Sequence, residues 1–265
     1  MKQQTNYVLI TGAGAGLGRC LALEMAKQGH SLILVSLLQE ELDRVKAEIL
    51  TKHPALAIET LALDVLQPNA ADTVDAWLTE NNIALKGLVN NVGMGYTANY
   101  EVTDAAFFQK LLQLNIMFTH SLTHKVIHRL IGNAPAFVLN VASMAAFFPL
   151  PYKALYSASK SFILTFSRAL RAEMWDNKVQ VSCLCPGPMV TNNEVRERIK
   201  NIGWRKYITN ISEPEEIAQK AVKGLAANKA VILPTLNDKI TVAVKRIIPA
   251  PILSWLLRVL SKNTY

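Results

Sequence analysis

Short apolar runs alternate with amphipathic stretches along this sequence, and that alternation constrains the fold more than any other feature. Runs such as "SLILV" at 31–35 are apolar throughout, as expected of strands buried on both faces of a sheet. The stretches between them have helical spacing, and Leu17, Leu21 and Met25 fall on one side of a helix over 17–28. The sequence therefore predicts an α/β fold, a doubly wound parallel sheet of about seven strands with helices on both faces.

The predicted elements follow one another in strand–helix order. We expect strands at 7–11, 31–35, 57–63, 86–91, 136–143, 179–185 and 230–233. We expect helices at 17–28, 39–52, 69–80, 103–130, 152–175 and from a capping box at 212–215 to about 228. Together they make a single domain over 1–265, with a loop at about 189–211 and a short C-terminal helical extension at about 235–265.

Composition narrows the class of protein further. Hydrophobic residues make up 51% of the 265 residues, which is ample for one large core. The N-terminal "MKQQTNYVLITG" is too short in its apolar part for a signal peptide, and no apolar stretch reaches the roughly 18 residues of a spanning helix. Three cysteines without a secretory signal favour reduced thiols and a cytoplasmic location. Cys183 and Cys185 are expected to fill core space, and no cluster with metal-ligand spacing predicts a metal site.

The net charge of +8 indicates an anionic partner of some kind. The basic residues are scattered and are not interleaved with aromatic residues, so nucleic acid is not expected. An anionic cofactor or an acidic lipid surface remains open. Five basic residues gather near the C-terminus: Lys239, Lys245, Arg246, Arg258 and Lys262.

A glycine-rich stretch, "TGAGAGLG" at 11–18, connects the first predicted strand to the first helix. Gly12, Gly16 and Gly18 allow the backbone to turn tightly and to approach a ligand closely. The first turn of the helix then offers free N–H groups to a pyrophosphate. Because this string lies between a strand and a helix, it predicts a dinucleotide site.

Several motifs in order along the chain resemble those of the short-chain dehydrogenase/reductase family. They are the T-G-x-x-x-G-x-G loop, Asp64-Val65, 90–93, Asn115, Ser143, Tyr156-x-x-x-Lys160 and 186–191. The resemblance extends from Tyr7 to Leu233. Val92 departs from it, because the family usually has alanine there. The resemblance implies a Rossmann fold and an NAD(P)-dependent oxidoreductase that transfers a hydride between the cofactor and a carbonyl or alcohol.

The resemblance also assigns catalytic roles to four residues. Tyr156 is expected to exchange a proton with the substrate oxygen, and Ser143 to hydrogen-bond that oxygen. Lys160 lies on the same helix face four residues later, and its ammonium is expected to lower the pKa of the phenol and to bind the nicotinamide ribose. Asn115 is expected to join a proton relay through water to Lys160; the alternative is an asparagine bonded only to its own helix backbone.

A larger set of residues is expected to bind the cofactor. By resemblance, Asp64 and Val65 meet the adenine, Asn91 lines the cleft and 189–191 contact the carboxamide end. The full expected set is Gly12, Gly14, Gly16, Leu17, Gly18, Ser36, Asp64, Val65, Asn91, Gly93, Tyr156, Lys160, Pro186, Gly187, Val190 and Thr191.

The end of the second strand bears on the choice of cofactor. In such folds an acidic residue there binds the ribose 2′-hydroxyl and selects NAD. Ser36 and Leu37 occupy these positions, so no Asp repels a 2′-phosphate, but no Arg binds one either. Ser36 can hydrogen-bond a phosphate, and Arg19 or Arg44 can approach it. We therefore expect NADP(H) to be favoured over NAD(H).

The substrate is expected to be a hydrophobic ketone or alcohol, such as a lipid, acyl or steroid-like compound. This expectation rests on Trp204 and Tyr207 in the loop after the sixth strand, and on further apolar candidates for the pocket wall: Met94, Met144, Phe147 and Phe148. The alternative, that these side chains only pack the loop, is equally compatible with the sequence.

The C-terminal tail offers a further helix after Pro251 that is apolar on most sides and too short to cross a bilayer. Three roles remain open for it: peripheral contact with an anionic membrane surface, a cap over the substrate pocket, or packing against another subunit. The long helices at 103–130 and 152–175 are expected, by resemblance, to form a homodimer or homotetramer.

Other function classes fit the sequence less well. A non-catalytic NAD(P)-binding sensor or scaffold on the same fold would have little need of all four catalytic residues. An epimerase or dehydratase of related type is usually longer. His124 and His128 share a helix face but have no evident third metal ligand, so surface or interface histidines are favoured.

Overall fold

The computed structural model describes residues 6–189 and 212–262. Seven parallel strands form one sheet in the order β3-β2-β1-β4-β5-β6-β7. The strands are β1 Asn6–Thr11, β2 Ser31–Ser36, β3 Ile58–Ala62, β4 Ala84–Asn90, β5 Ala136–Val141, β6 Val179–Leu184 and β7 Val231–Ile232. The predicted doubly wound parallel sheet is confirmed, with every predicted strand within about two residues of its expected position.

Helices cover both faces of this sheet. They are α1 Gly16–Lys27, α2 Gln39–Lys52, α3 Ala70–Glu80, α4 Ala105–Leu112, α5 Phe118–Gly132, α6 Ala154–Glu173, α7 Pro214–Ala226, α8 Leu236–Lys245 and α9 Ala250–Lys262. A π-helical turn, Gln113–Met117, joins α4 to α5, and 3₁₀ turns occur at Tyr100–Val102 and Met144–Phe147. Among the described helices, none is long and apolar enough to cross a membrane.

Strand β1 illustrates why the sheet is covered on both sides. Val8 and Ile10 pack into one core with helices α1, α2 and α7, whereas Leu9 packs into the other core with α3 and α5. All three side chains are fully buried. Successive side chains of a strand point to opposite faces, so an uninterrupted apolar run is stable only between two layers of helices.

The long helix expected at 103–130 is interrupted. Helix α4 ends at Leu112, and the π-helical turn that follows contains Asn115. The Asn115 side chain is buried and bonds outside its helix, to Met94 and Ser159. A π turn is a local widening of a helix that often accompanies functional sites, and here it accompanies a polar side chain directed at the neighbouring loop.

The capping box expected at Ser212 is wrong, although Pro214 does lie in the first turn as predicted. Helix α7 has Glu213 as its N-cap residue, with no side-chain cap hydrogen bond. Ser212 instead forms a parallel bridge with Met189. A capping box does form at the next helix, where Thr235 and Asp238 bond reciprocally at the start of α8.

Candidate active site

The carboxyl ends of strands β1, β4, β5 and β6 border a cleft of about 910 Å³. The sheet order reverses direction on either side of β1, which is where ligands bind in open α/β sheets. Of the expected site residues, eleven line this cleft: Gly12, Gly16, Leu17, Gly18, Asn91, Gly93, Ser143, Tyr156, Lys160, Pro186 and Gly187.

The glycine loop is shaped by close backbone contacts. Gly12 and Gly16 have φ angles of +66° and +53°, which L side chains rarely adopt. A β-carbon on Gly18 would collide with the carbonyl oxygen of Gly12. The Asn91 amide donates to the carbonyls of Thr11 and Gly12, at 3.0 and 3.2 Å, and so fixes the loop to the end of β4. The loop and the start of α1 therefore fit a pyrophosphate.

Ser143 and Tyr156 meet at one end of the cleft. Ser143 follows β5 as the N-cap residue of a 3₁₀ turn, where its Oγ accepts a hydrogen bond from the amide of Ala145 at 3.1 Å. Tyr156 lies in the first turn of α6, and its phenol is close enough to Ser143 for the serine hydroxyl to lower the pKa of the phenol. The hydroxyl groups of Ser143 and Tyr156, which belong to different elements, therefore lie at the same end of the cleft.

Lys160 lies one turn beyond Tyr156 and is almost completely buried. Its Nζ donates to the carbonyl oxygen of Val141 at 3.1 Å and lies 5.9 Å from the centre of the Tyr156 ring. Burial lowers the pKa of Lys160 to about 8. The thiols of Cys183 and Cys185, which are buried as expected, lie close enough to oppose this shift slightly.

The pKa of Tyr156 differs from the sequence-based expectation. Burial raises the pKa of the phenol above its ordinary value, and the neighbouring Ser143 hydroxyl only partly opposes this. The expected lowering by Lys160 is not found. Desolvation disfavours the phenolate, and the ammonium is directed at Val141. The phenol is therefore protonated at neutral pH.

Asn115 lies behind the cleft and does not line it. Its Oδ1 accepts from the Met94 amide at 2.8 Å, while its Nδ2 donates to the Met94 carbonyl at 2.9 Å and to Ser159 Oγ at 3.0 Å. A β-carbon on Gly93 would lie 2.9 Å from Asn115 Oδ1 and 3.2 Å from Lys160 Nζ. Glycine at this position is what allows the two side chains to approach the same loop.

Four of the remaining expected cofactor-binding residues lie near the ends of strands but outside the cleft. Gly14, Ser36, Asp64 and Val65 lie at the ends of β1, β2 and β3, outside the residues that line the cleft. Asp64 accepts from the Leu66 amide at 3.0 Å and so shapes its own turn. Val190 and Thr191 fall outside the described residues, as do Trp204 and Tyr207.

The basic residues expected near a 2′-phosphate are paired with carboxylates. Arg19 forms an ion pair with Glu48 at 2.7 Å, and Arg44 lies 3.8 Å from Glu40 on the exposed side of α2. The third residue expected near a 2′-phosphate, Ser36, is uncharged, and its hydroxyl can donate a hydrogen bond to a phosphate.

The substrate end of the cleft combines apolar and basic side chains. Met94 and Met144 line it as expected. Phe147 packs instead against the cluster around Cys183, and Phe148 is not among the lining residues. Lys153, which the sequence reasoning missed, also lines the cleft, and burial lowers its pKa.

Two other contributors were missed, Tyr96 and Ser159. The Tyr96 hydroxyl accepts from the Leu155 amide at 3.1 Å and fixes the start of α6. Ser159 donates to the Tyr156 carbonyl at 2.7 Å while accepting from Asn115. Ser159 stands inside the Tyr-x-x-x-Lys motif, directly before Lys160, and this position was the signal that could have identified it.

Comparison with known proteins identifies the family. The model for "short chain dehydrogenase" matches residues 6–201. A very-long-chain 3-oxoacyl-CoA reductase of Pyrenophora tritici-repentis is 35% identical over 187 residues, which cover 67% of this chain and 53% of that protein. The corresponding protein of Bos taurus is 30% identical over 221 residues, covering 82% and 67%.

A solved structure agrees. A short-chain dehydrogenase from Sphingobium yanoikuyae in complex with NADPH has a TM-score of 0.76 and 27% identity, covering 87% of this chain and 88% of that one. This chain therefore belongs to the short-chain dehydrogenase family. It spans about half the length of the Pyrenophora relative.

Proposed function

We propose that this chain is an NAD(P)-dependent reductase of carbonyl compounds. The observation that supports this most is the convergence of Ser143, Tyr156 and Lys160 at one end of a glycine-lined cleft. When bound, the nicotinamide supplies the hydride. The residues of the chain position the carbonyl and deliver the proton.

Each catalytic residue has a proposed task. The hydroxyls of Ser143 and Tyr156 bind the carbonyl oxygen together, and the phenol donates its proton to that oxygen as negative charge develops there. A raised pKa keeps the phenol protonated, which suits reduction. Lys160 binds the nicotinamide ribose. Asn115 holds the Met94 loop and takes part in a water-mediated relay towards Lys160.

The proposed substrate has an apolar chain and an anionic head group. Met94 and Met144 supply an apolar wall, and the Lys153 ammonium supplies a positive charge in the same cleft. The two relatives described above are reductases of very-long-chain 3-oxoacyl-CoA. We propose a 3-oxoacyl thioester as the substrate class.

A substrate panel tests this function. Purified protein is incubated with NADPH or NADH and with 3-oxoacyl-CoA thioesters of increasing chain length, steroid ketones and short polar ketones, and consumption of the reduced cofactor is followed. Turnover that increases with acyl length supports the proposal. Binding of cofactor without turnover of any carbonyl would favour the non-catalytic sensor instead.

We propose NADP(H) as the preferred cofactor. The absence of an acidic residue at 36–37 supports this, as does the NADPH complex of the Sphingobium protein. Because Arg19 and Arg44 are engaged with Glu48 and Glu40, we expect the preference to be modest. The ratio of kcat/KM for NADPH and NADH measures it.

Peripheral contact with an anionic membrane is proposed for the C-terminal extension. Helices α8 and α9 and the turn between them expose a set of large apolar side chains, here called the C-terminal apolar set: Leu236, Ile240, Val244, Ile247, Ile252, Trp255 and Val259. The first three have a four-residue spacing and so share one side of α8, opposite buried Val242. Large exposed apolar surfaces mark interaction sites.

Charge favours a lipid surface over a protein partner for this set. Residues 217–265 contain eight basic residues and a single acidic one, Asp238. Asp238 is buried in the capping box of α8 and so offers no exposed negative charge. Apolar side chains bordered by lysine and arginine suit an interface of anionic lipids. No residue of 212–262 lines the described cleft, so a cap over the pocket has less support.

We also propose that the chain forms a homodimer or homotetramer through the π turn, α5 and α6. Met117 and Phe162 are exposed on this surface, and Phe162 stacks on Phe166. Light scattering of the wild type and of Phe162→Glu tests this, since a charge within the interface would reduce the measured mass. An unchanged mass in the variant would contradict this choice of surface.

A further inference from the structure

The side chain of Glu41 lies against the glycine loop. A β-carbon on Gly14 would lie 2.5 Å from Glu41 Oε2 and 2.9 Å from Glu41 Cβ. Both the β-carbon and the carboxylate of Glu41 are therefore close to Gly14. The same ideal β-carbon on Gly14 would lie 2.9 Å from Ser36 Oγ. The carboxylate of Glu41 and the hydroxyl of Ser36 thus stand together beside the loop, at the end of β2.

Neighbouring polar side chains at the start of α2 have partners, whereas Glu41 has none within the part of the chain that the structure describes. Gln39 donates to Asp43 and Thr60, and Glu40 is paired with Arg44. Glu41 is half-buried, and within the described ranges 6–189 and 212–262 it forms no ion pair or side-chain hydrogen bond. Its carboxylate is therefore free to interact with a ligand beside the loop.

The position matters because of where adenosine lies in such folds. The pyrophosphate binds at the glycine loop, and the adenosine ribose turns towards the end of the second strand, where an acidic residue commonly accepts from its 2′-hydroxyl. Ser36 stands at the end of that strand and carries no charge. Glu41 brings a carboxylate to the same place from helix α2.

We infer that Glu41 is a specificity-determining residue that accepts a hydrogen bond from the ribose 2′-hydroxyl and acts against a 2′-phosphate. This inference rests on the proposed function, because it requires a bound nicotinamide dinucleotide. A carboxylate and a phosphate a few ångströms apart repel each other, and the two arginines expected near a 2′-phosphate, Arg19 and Arg44, are paired with Glu48 and Glu40. Glu41 limits the preference for NADP(H).

Direct binding tests the inference independently of turnover. The probes are NAD⁺, NADP⁺, adenosine 5′-monophosphate and adenosine 2′,5′-bisphosphate, titrated calorimetrically into the wild type and Glu41→Gln. We expect the variant to bind the two 2′-phosphorylated probes about tenfold more tightly, as one charge–charge repulsion of this range would require. Binding of the two probes that lack a 2′-phosphate weakens by about threefold or less, because the Gln carbonyl still accepts a hydrogen bond.

A matched control lies one residue away. Glu40→Gln removes the same charge from the same helix turn, but the Glu40 carboxylate is exposed and paired with Arg44. In this variant the ratio of the affinities for probes with and without a 2′-phosphate stays within about twofold of the wild-type ratio. The reason is that solvent and salt screen the distant charge of Glu40. Glu41→Ala serves as a second variant and shifts the ratio in the same direction as Glu41→Gln.

Two outcomes separate this inference from the proposed function. If NAD⁺ and NADP⁺ both bind but Glu41→Gln and Glu41→Ala change their ratio no more than Glu40→Gln does, the role of Glu41 is overturned and the proposed function stands. If no probe binds to the wild type, the proposed function fails and the inference fails with it.

Discussion

The side chains of Ser143 and Tyr156 lie beside each other in the cleft although they belong to different elements, a 3₁₀ turn after β5 and the first turn of α6. Their contact defines the position that a substrate oxygen can occupy, within reach of two hydroxyl groups. Ser143 itself is held by the amide of Ala145 at 3.1 Å. The site is therefore fixed by backbone structure on one side and by a helix on the other.

Replacing Ser143 affects the rate and the pH dependence together. Ser143→Ala lowers kcat/KM by about a hundredfold, since it removes one of two donors to the carbonyl oxygen. The Ser143 hydroxyl lowers the pKa of Tyr156, so loss of this hydroxyl raises that pKa. Oxidation of the alcohol product needs the phenolate. The rising limb of the pH–rate profile of this oxidation therefore moves to higher pH in the variant. Ser161→Ala, which removes a hydroxyl bonded to the carbonyl of Ala146, serves as the control. It leaves kcat/KM and the pH dependence of the oxidation unchanged.

The buried ammonium of Lys160 makes stability depend on pH. Its pKa is about 8 in the folded state and lies near 10.5 when unfolded, so between these values the unfolded chain binds more protons and stability increases with pH. Lys160→Met removes this dependence. Relative to the wild type, the variant gains about 3 kcal/mol in free energy of unfolding below pH 8, and the gain disappears towards pH 10.5.

Urea unfolding at several pH values measures this effect. The control is Lys110→Met, which changes an exposed lysine of α4. A difference between Lys160→Met and the wild type that stays constant from pH 7 to 10.5, a range set by the pKa values above, would show that the Lys160 ammonium is not desolvated as described.

Asn115 makes a structural contribution that can be separated from any relay. Asn115→Ala leaves the part-buried amide and carbonyl of Met94 without their partners, so the free energy of unfolding falls by about 2 kcal/mol. Chemical denaturation measures it. Asn69→Ala is the control, because Asn69 makes no side-chain cap bond to α3. Equal stability of Asn115→Ala and the wild type would contradict the observed hydrogen bonds.

Glycines 18 and 132 should respond to alanine in opposite directions. Gly18→Ala forces a β-carbon against the carbonyl of Gly12, so the loop must move and cofactor binding is lost. Gly132, at the end of α5, has open space around it, and Gly132→Ala stabilises the fold by up to about 1 kcal/mol. Thermal unfolding with and without cofactor measures both effects. Normal cofactor binding by Gly18→Ala would contradict the described loop.

Membrane contact predicts a difference between two exposed tryptophans. Trp255 belongs to the C-terminal apolar set and is 63% exposed, and Trp175, after α6, is 67% exposed. Trp255→Ser weakens sedimentation with anionic phosphatidylglycerol vesicles by about tenfold, because less apolar area enters the interface. Trp175→Ser has no effect. Equal sedimentation of both variants, or equal binding to neutral phosphatidylcholine vesicles, would contradict the proposal.

The sequence predicted the sheet well because its signal is local. Each strand is an apolar run such as 31–35, and each connecting helix has its own periodicity, so neither depends on distant residues. The glycine loop was likewise recognisable from its place between β1 and α1. Three cleft residues, Ser143, Tyr156 and Lys160, were predicted from motifs and are brought together in the structure.

Features that depend on distant contacts were not predictable. Ser212 and Thr235 both begin stretches that resemble capping boxes, and only the bridge to Met189 shows why the first does not form. The π turn at Asn115 depends on Met94, and the raised pKa of Tyr156 depends on burial. The proximity of Glu41 to Gly14 arises from the packing of α2 on the loop.

The central claim is that the Tyr156 phenol donates the proton in a reduction carried out in this cleft. The most direct measurement is kcat/KM for a long-chain 3-oxoacyl-CoA in wild type and Tyr156→Phe, with cofactor affinity measured alongside. We expect a loss of about a thousandfold in kcat/KM with cofactor affinity within about threefold, whereas exposed Tyr100→Phe has no effect. Turnover by Tyr156→Phe at the wild-type rate would contradict the account.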